Sequence, residues 1–141
     1  MRLSNIGHGA RCNLVASAVG HAEGQDESTE VIVSDKAEQK RFGTPDETRT
    51  FERGTLDLLR IGGAEIGRLT LQPGWRWSEH VKPLAGTELC EAPHFQYHVS
   101  GTLHVVMADG AEFDAKPGDV TALPQGHDAW VVGDEPVVVV D

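Results

Sequence analysis

From about Thr50 onward the chain is broken every few residues by turn-forming residues, and this punctuation leaves room only for short strands. The breaks fall at Gly62-Gly63, Pro73-Gly74, Gly101, Asp109-Gly110, Pro117-Gly118, Pro124 to Gly126 and Gly133 to Pro136. Between them lie nine β-prone runs: 55–60, 64–71, 77–82, 94–100, 102–108, 111–115, 119–123, 128–132 and 137–140. Asp109-Gly110, flanked by alternating residues, is a strong signal for a tight hairpin, and Gly62-Gly63 is another. Leu103, Val105 and Met107 share one face of their run while Thr102, His104 and Val106 share the other, the period of a half-buried strand. Apolar residues at helical spacing appear only weakly, around 35–41. Many short strands at regular spacing predict an all-β domain, a sandwich or barrel.

The first part of the chain has a different texture. Residues 20–40 (GHAEGQDESTEVIVSDKAEQK) contain a single apolar run, 31–33, and such a segment cannot offset its own ordering entropy. Residues 1–45 therefore read as a tail, disordered or partly packed on the barrel, and residues 46–141 as the domain. Arg2, Arg11 and Ala16-Ser17-Ala18 resemble parts of a secretion signal, but the apolar stretch 12–19 is short and diluted by Asn13 and Ser17. With two cysteines in 141 residues there is no disulfide framework, so a reducing, cytoplasmic setting is expected.

Charge and hydropathy exclude two classes of function. A formal net charge of −10 opposes a phosphate backbone, so no nucleic-acid partner is expected. No apolar run approaches the ~20 residues of a membrane-spanning helix. Seven histidines are many for a chain this size, and five of them lie between positions 80 and 127. Imidazole is a common ligand for first-row transition metals, and barrel mouths are common ligand sites.

Three spaced elements carry a family resemblance: Gly74-x5-His80, His94-x6-Gly101 and Gly118-x5-Pro124-x-Gly126. This pattern, spanning about Phe51 to Asp141, resembles the two signature motifs of the cupin superfamily. The resemblance implies a jelly-roll β-barrel, in many members one that holds a divalent metal, and a homodimer. Two usual ligand positions depart from the pattern: Lys82 stands where a second histidine is usual, and Ala129 where the last one is. His94 stands at the usual glutamate. Because alternate residues of a strand face the same way, His127 can enter the barrel beside the place that Ala129 leaves vacant.

The expected metal ligands are thus His80, His94 and His127, with Cys90 as a further candidate on the long loop before His94. Each has a plainer reading: His80 a structural histidine, His94 and His127 loop-bonded imidazoles, Cys90 a small apolar filler. Three imidazoles with open positions suit Fe(II), Zn, Ni or Mn, with the identity left open. Arg76, Lys82, Gln96 and His98 are the expected substrate-binding residues, the two cations as anchors for an anionic group. His104 has outward parity. The resemblance implies dioxygenase, isomerase, lyase or decarboxylase chemistry on a small polar metabolite. Two alternatives remain: a non-catalytic module that binds or senses a small ligand, and an assembly role through an exposed tryptophan face. Residues 31–33 are a candidate edge strand for a neighbouring subunit.

Overall fold

The computed structural model describes residues 35–141. Cys12, the signal-like segment and residues 31–33 lie outside that range. Two antiparallel sheets face one another as a jelly-roll barrel. The larger has the order β1-β2-β3-β9-β4-β7 and the smaller β6-β5-β8. The strands are β1 (Glu47–Phe51), β2 (Gly54–Ile61), β3 (Ala64–Leu71), β4 (His94–Ser100), β5 (Thr102–Met107), β6 (Glu112–Ala115), β7 (Val120–Leu123), β8 (His127–Val132) and β9 (Val137–Val140).

Alternation sets which side chains meet between the sheets. Leu103 and Val105 of β5, Ala129 and Val131 of β8, and Val137 and Val139 of β9 are buried, with Leu71, Leu123 and Trp75 beside them. Gly62-Gly63 closes the β2–β3 hairpin, pairing Ile61 with Ala64. Asp109-Gly110 turns β5 into β6, where the Asp109 carboxylate accepts from the Ala111 N–H. Gly101 joins β4 to β5 at φ +71°, and a Cβ there would sit 2.5 Å from the Pro136 carbonyl oxygen. Only glycine fits that corner.

The run at 77–82 is not a strand. It forms two single helical turns, α1 (Trp77–His80) and α2 (Lys82–Ala85). Pro83 sits in the first turn of α2 and Gly86, at φ 72°, ends it, the usual asymmetry of helix start and stop. Asp128 of β8 fixes α1 from across the chain: its carboxylate accepts from the Ser78 N–H at 3.0 Å, the Ser78 hydroxyl at 2.8 Å and Arg76 Nε at 3.2 Å. Asp128→Ala takes this acceptor from those three donors and from the Ala129 N–H. We expect it to lower stability by about 2 kcal/mol in urea unfolding, with Asp128→Asn intermediate.

Strand β1 is a further difference from the sequence reading, which began the sheet at β2. Before it, the weak helical pattern at 35–41 forms no helix. These residues contact the sheet instead: Glu38 accepts from the Gly62 N–H, and the Phe42 ring lies 5.1 Å from the Arg68 guanidinium. Trp75 and Trp77 are buried in the core, so no exposed tryptophan face forms.

Candidate metal centre

Cys90, His94 and His127 converge at one end of the barrel, their ligand atoms all within 4.8 Å of one another. Three different elements deliver them. His94 opens β4 and His127 opens β8. Cys90 arrives on the loop between α2 and β4, which is pinned to β8 by main-chain bonds. The Cys90 N–H donates to the His127 carbonyl at 2.8 Å, and the Gly126 N–H to the Cys90 carbonyl at 2.7 Å. Gly126, at φ 92°, makes the turn that permits this approach. Cys90 and His127 are buried and His94 is partly exposed, so the group lies at the edge of the core.

The imidazoles are oriented from behind. His94 Nδ1 is hydrogen-bonded to the Asp141 carboxylate, and His127 Nδ1 lies 2.9 Å from the Pro124 carbonyl oxygen. A carbonyl and a carboxylate only accept, so each Nδ1 carries a proton and each Nε2 is the atom left to face a ligand. His94 Nε2 lies 3.6 Å from Cys90 Sγ, and the two rings stand edge to face at 5.3 Å.

Asp141 also accepts from Gln96 Nε2 at 3.1 Å and from the Phe95 N–H at 3.4 Å. Burial pushes the Asp141 carboxyl up, but His94, Gln96 and the Phe95 N–H outweigh it and leave it below its ordinary value. Burial likewise pushes His94 down, while Asp141 and Cys90 lift it to about 9. For Cys90, burial raises the thiol and hydrogen bonds from His127, His94 and the region of Ala92 bring it down to about 6. Near neutral pH a Cys90 thiolate beside a protonated His94 is favoured when no ion lies between them.

The other expected site residues lie elsewhere. His80, on α1, is not part of the convergent group. Its Nδ1 is held 3.0 Å from the backbone N and O of Arg76, and its Nε2 faces Glu52 at 3.8 Å. The strand parity that aimed it inward does not exist in a helical turn. Lys82 pairs with Glu88 at 2.7 Å beside an open cleft, and Arg76 lies over the Trp130 ring at 4.1 Å. Gln96 and His98 are buried on the inner face of β4; His98 Nε2 meets the Thr121 hydroxyl at 2.9 Å. His104 faces outward, against Asp114 and Glu112. Asp141 was not among the residues singled out from sequence. Nothing local marks it, because its place beside His94 follows from β9 lying next to β4.

A scan against protein-family models finds no match for the chain, and comparison with curated proteins finds none either. Solved structures do resemble it. A protein of unknown function from Rhizobium leguminosarum bv. viciae matches with a TM-score of 0.55 and 19% identity, covering 74% of this chain and 93% of that one. The polyketide cyclase RemF from Streptomyces resistomycificus matches at 0.52 and 16%, over 74% and 76%. A DUF1255 protein of unknown function from Acidithiobacillus ferrooxidans matches at 0.50 and 18%, over 69% and 87%. The fold is the cupin barrel, an architecture shared with at least one enzyme. At one end of it this chain carries the Cys/His/His cluster. Among the described residues no helix is long and apolar enough to cross a membrane.

Proposed function

We propose that the protein is a metal-dependent cupin whose ion is held by Cys90, His94 and His127 and whose remaining coordination positions take a small polar metabolite. One observation carries the reading: three potential electron-pair donors, from Cys90, His94 and His127, face one another, with both Nδ1 protons directed away to Asp141 and Pro124. Such lone pairs repel unless a proton or a cation lies among them. A cation satisfies all three at once.

The donor set fits an ion in two further ways. Bond lengths of about 2.3 Å to sulfur and 2.05 Å to nitrogen at a tetrahedral angle place S and N about 3.5 Å apart. The observed Cys90–His94 distance is 3.6 Å. Thiolate and imidazole together favour a borderline-soft ion such as zinc or Fe(II) over manganese. Set against the three-imidazole expectation, Cys90 here stands where His80 was expected, and His80 keeps a structural bond.

A bound ion would supply Lewis-acid polarisation or, as iron, redox capacity. The protein's part is to fix the donors. Asp141 and Pro124 hold the imidazole tautomers, and Gln96 ties Asp141 to β4. A thiol nucleophile with His94 as base and Asp141 as orienter would use the same first three residues. In that arrangement the second imidazole, His127, would serve only to lower the Cys90 thiol.

The burial of Cys90 and His127 favours a second reading, a non-catalytic module in which the ion holds the barrel end together. Cobalt(II) substitution tests both. Binding should produce an intense near-ultraviolet thiolate-to-cobalt band that Cys90→Ser abolishes, and azide should shift the visible bands by occupying an open position. A thiolate band insensitive to azide would support the non-catalytic reading. Absence of cobalt binding in the wild type would end the metal proposal.

A further inference from the structure

His127 has a cross-strand neighbour on each side, and both carry sulfur. On one side Cys90 forms an antiparallel bridge with it; on the other, Met107 at the end of β5 is its register partner. Directly opposed residues project from the same face of a sheet, so Cys90 and Met107 flank His127 on the inner face. His94 meets this row from the opposite sheet, its ring edge to face with that of His127 at 5.3 Å. The main-chain bonding brings Met107 close. Its N–H donates to the Ala111 carbonyl at 2.8 Å and its carbonyl accepts from the Gly110 N–H at 2.9 Å, while the Ala108 N–H donates to the Gly126 carbonyl. Met107 and His127 are therefore a non-hydrogen-bonded pair, the kind in which Cα atoms stand about 4.5 Å apart and side chains lie nearest. Met107 packs against the core cluster that contains Cys90, and it is the only methionine among the described residues.

We propose, building on the Cys90/His94/His127 centre, that the Met107 thioether is a fourth donor to the ion and that the ion is copper. Two imidazoles and a thiolate with a weak, distant thioether form a donor set that suits copper in both oxidation states. Thiolate and thioether sulfur hold Cu(I), while imidazole nitrogen also accommodates Cu(II). Among divalent first-row metals, copper is also the ion that such sites bind most tightly. The four donors come from β4, β5, β8 and the loop before β4, all tied into one packed barrel, so little rearrangement accompanies a change of charge. The walls beside them are apolar: buried Leu123 is the register partner of His94, and buried Ala129 follows His127 on the inner face of β8. Such a shell limits water access and tunes the potential of the ion. The exchange is Cu(II) + e⁻ → Cu(I), the electron coming from a one-electron carrier, with no proton moved. A long axial thioether occupies one side of the three-donor set and leaves the other to the metabolite. Leucine and methionine fill nearly the same volume, so the sulfur is what separates a ligand from a core filler at this position.

Loading the full chain with Cu(I) under argon and oxidising it with ferricyanide tests this. An intense visible thiolate-to-copper band is expected, with a narrow parallel copper hyperfine splitting in electron paramagnetic resonance. Cys90→Ser should abolish the band. Met107→Leu should keep the band and raise the reduction potential, because an axial electron pair stabilises Cu(II) more than Cu(I). Met107→Gln, which offers a harder oxygen donor, should lower it. Circular dichroism confirms that each variant is folded. Equal potentials in the wild type and both Met107 variants would overturn the role of Met107. A copper protein without the thiolate band, beside a cobalt protein that has one, would overturn the copper site and leave the three-residue centre standing. If neither ion binds, both proposals fail.

Discussion

His127→Ala is expected to weaken metal binding by about a hundredfold to a thousandfold, while His80→Ala leaves it intact. The magnitude follows from structural zinc sites, where roughly 10–16 kcal/mol of binding is distributed over four ligands, or about 2.5–4 kcal/mol each. His127 is the most informative member of the group. Losing Cys90 or His94 would disable a thiol nucleophile as well as a metal centre, whereas without His127 a nucleophile would keep its sulfur, base and carboxylate and lose only an interaction that lowers the thiol. His80→Ala is the matching control, because its ring is engaged with the Arg76 backbone, outside the cluster. Competition against a chromophoric chelator reads both affinities. Equal losses in the two variants would restore a three-imidazole site and overturn the Cys/His/His set.

Local pattern carried the barrel. Period-two alternation along β5 and β8 identified the inward faces, and the same parity put His127 inside with Ala129, as the burial along β8 shows. Gly62-Gly63 and Asp109-Gly110 marked their hairpins because their backbone conformations are specified within two residues. The failure at 77–82 has an equally specific cause. Trp77 and His80 were read on a strand, and the helix start at Pro83 and stop at Gly86 are seen only in the folded chain. The contact that holds α1 comes from Asp128, fifty residues away. Once that segment is helical, the argument that aimed His80 and Lys82 inward no longer applies.

The cluster was legible in proportion to how locally each member is placed. His94 and His127 open strands, so parity could reach them. Cys90 lies on a loop, and its position depends on the main-chain bridge to His127, which no spacing rule gives. Asp141 is the extreme case. It follows a run of four valines, and only the insertion of β9 between β3 and β4 puts its carboxylate behind His94.

Asp141→Asn should therefore weaken metal binding by about 10–100-fold, the usual effect of losing a carboxylate behind a ligating imidazole. That range corresponds to about 1.4–2.7 kcal/mol. The carboxylate accepts from three donors: His94 Nδ1, the Phe95 N–H and Gln96 Nε2. An asparagine keeps one accepting oxygen and turns an N–H₂ toward the remaining donors, so either His94 or Gln96 loses its partner. If His94 loses it, the ring no longer has Nδ1 held as the protonated atom, and Nε2 becomes a poorer and less well-aimed donor. The backbone bonds between Asp141 and Gly67, at 2.8 and 2.9 Å, do not involve the side chain and should hold the end of β9 in place. Nitrogen-15 NMR of the His94 ring separates positioning from general destabilisation. In the folded wild type Nδ1 should appear protonated, and in Asp141→Asn the two tautomers should mix. A folded Asp141→Asn protein with unchanged metal affinity and an unchanged tautomer would remove Asp141 from the site.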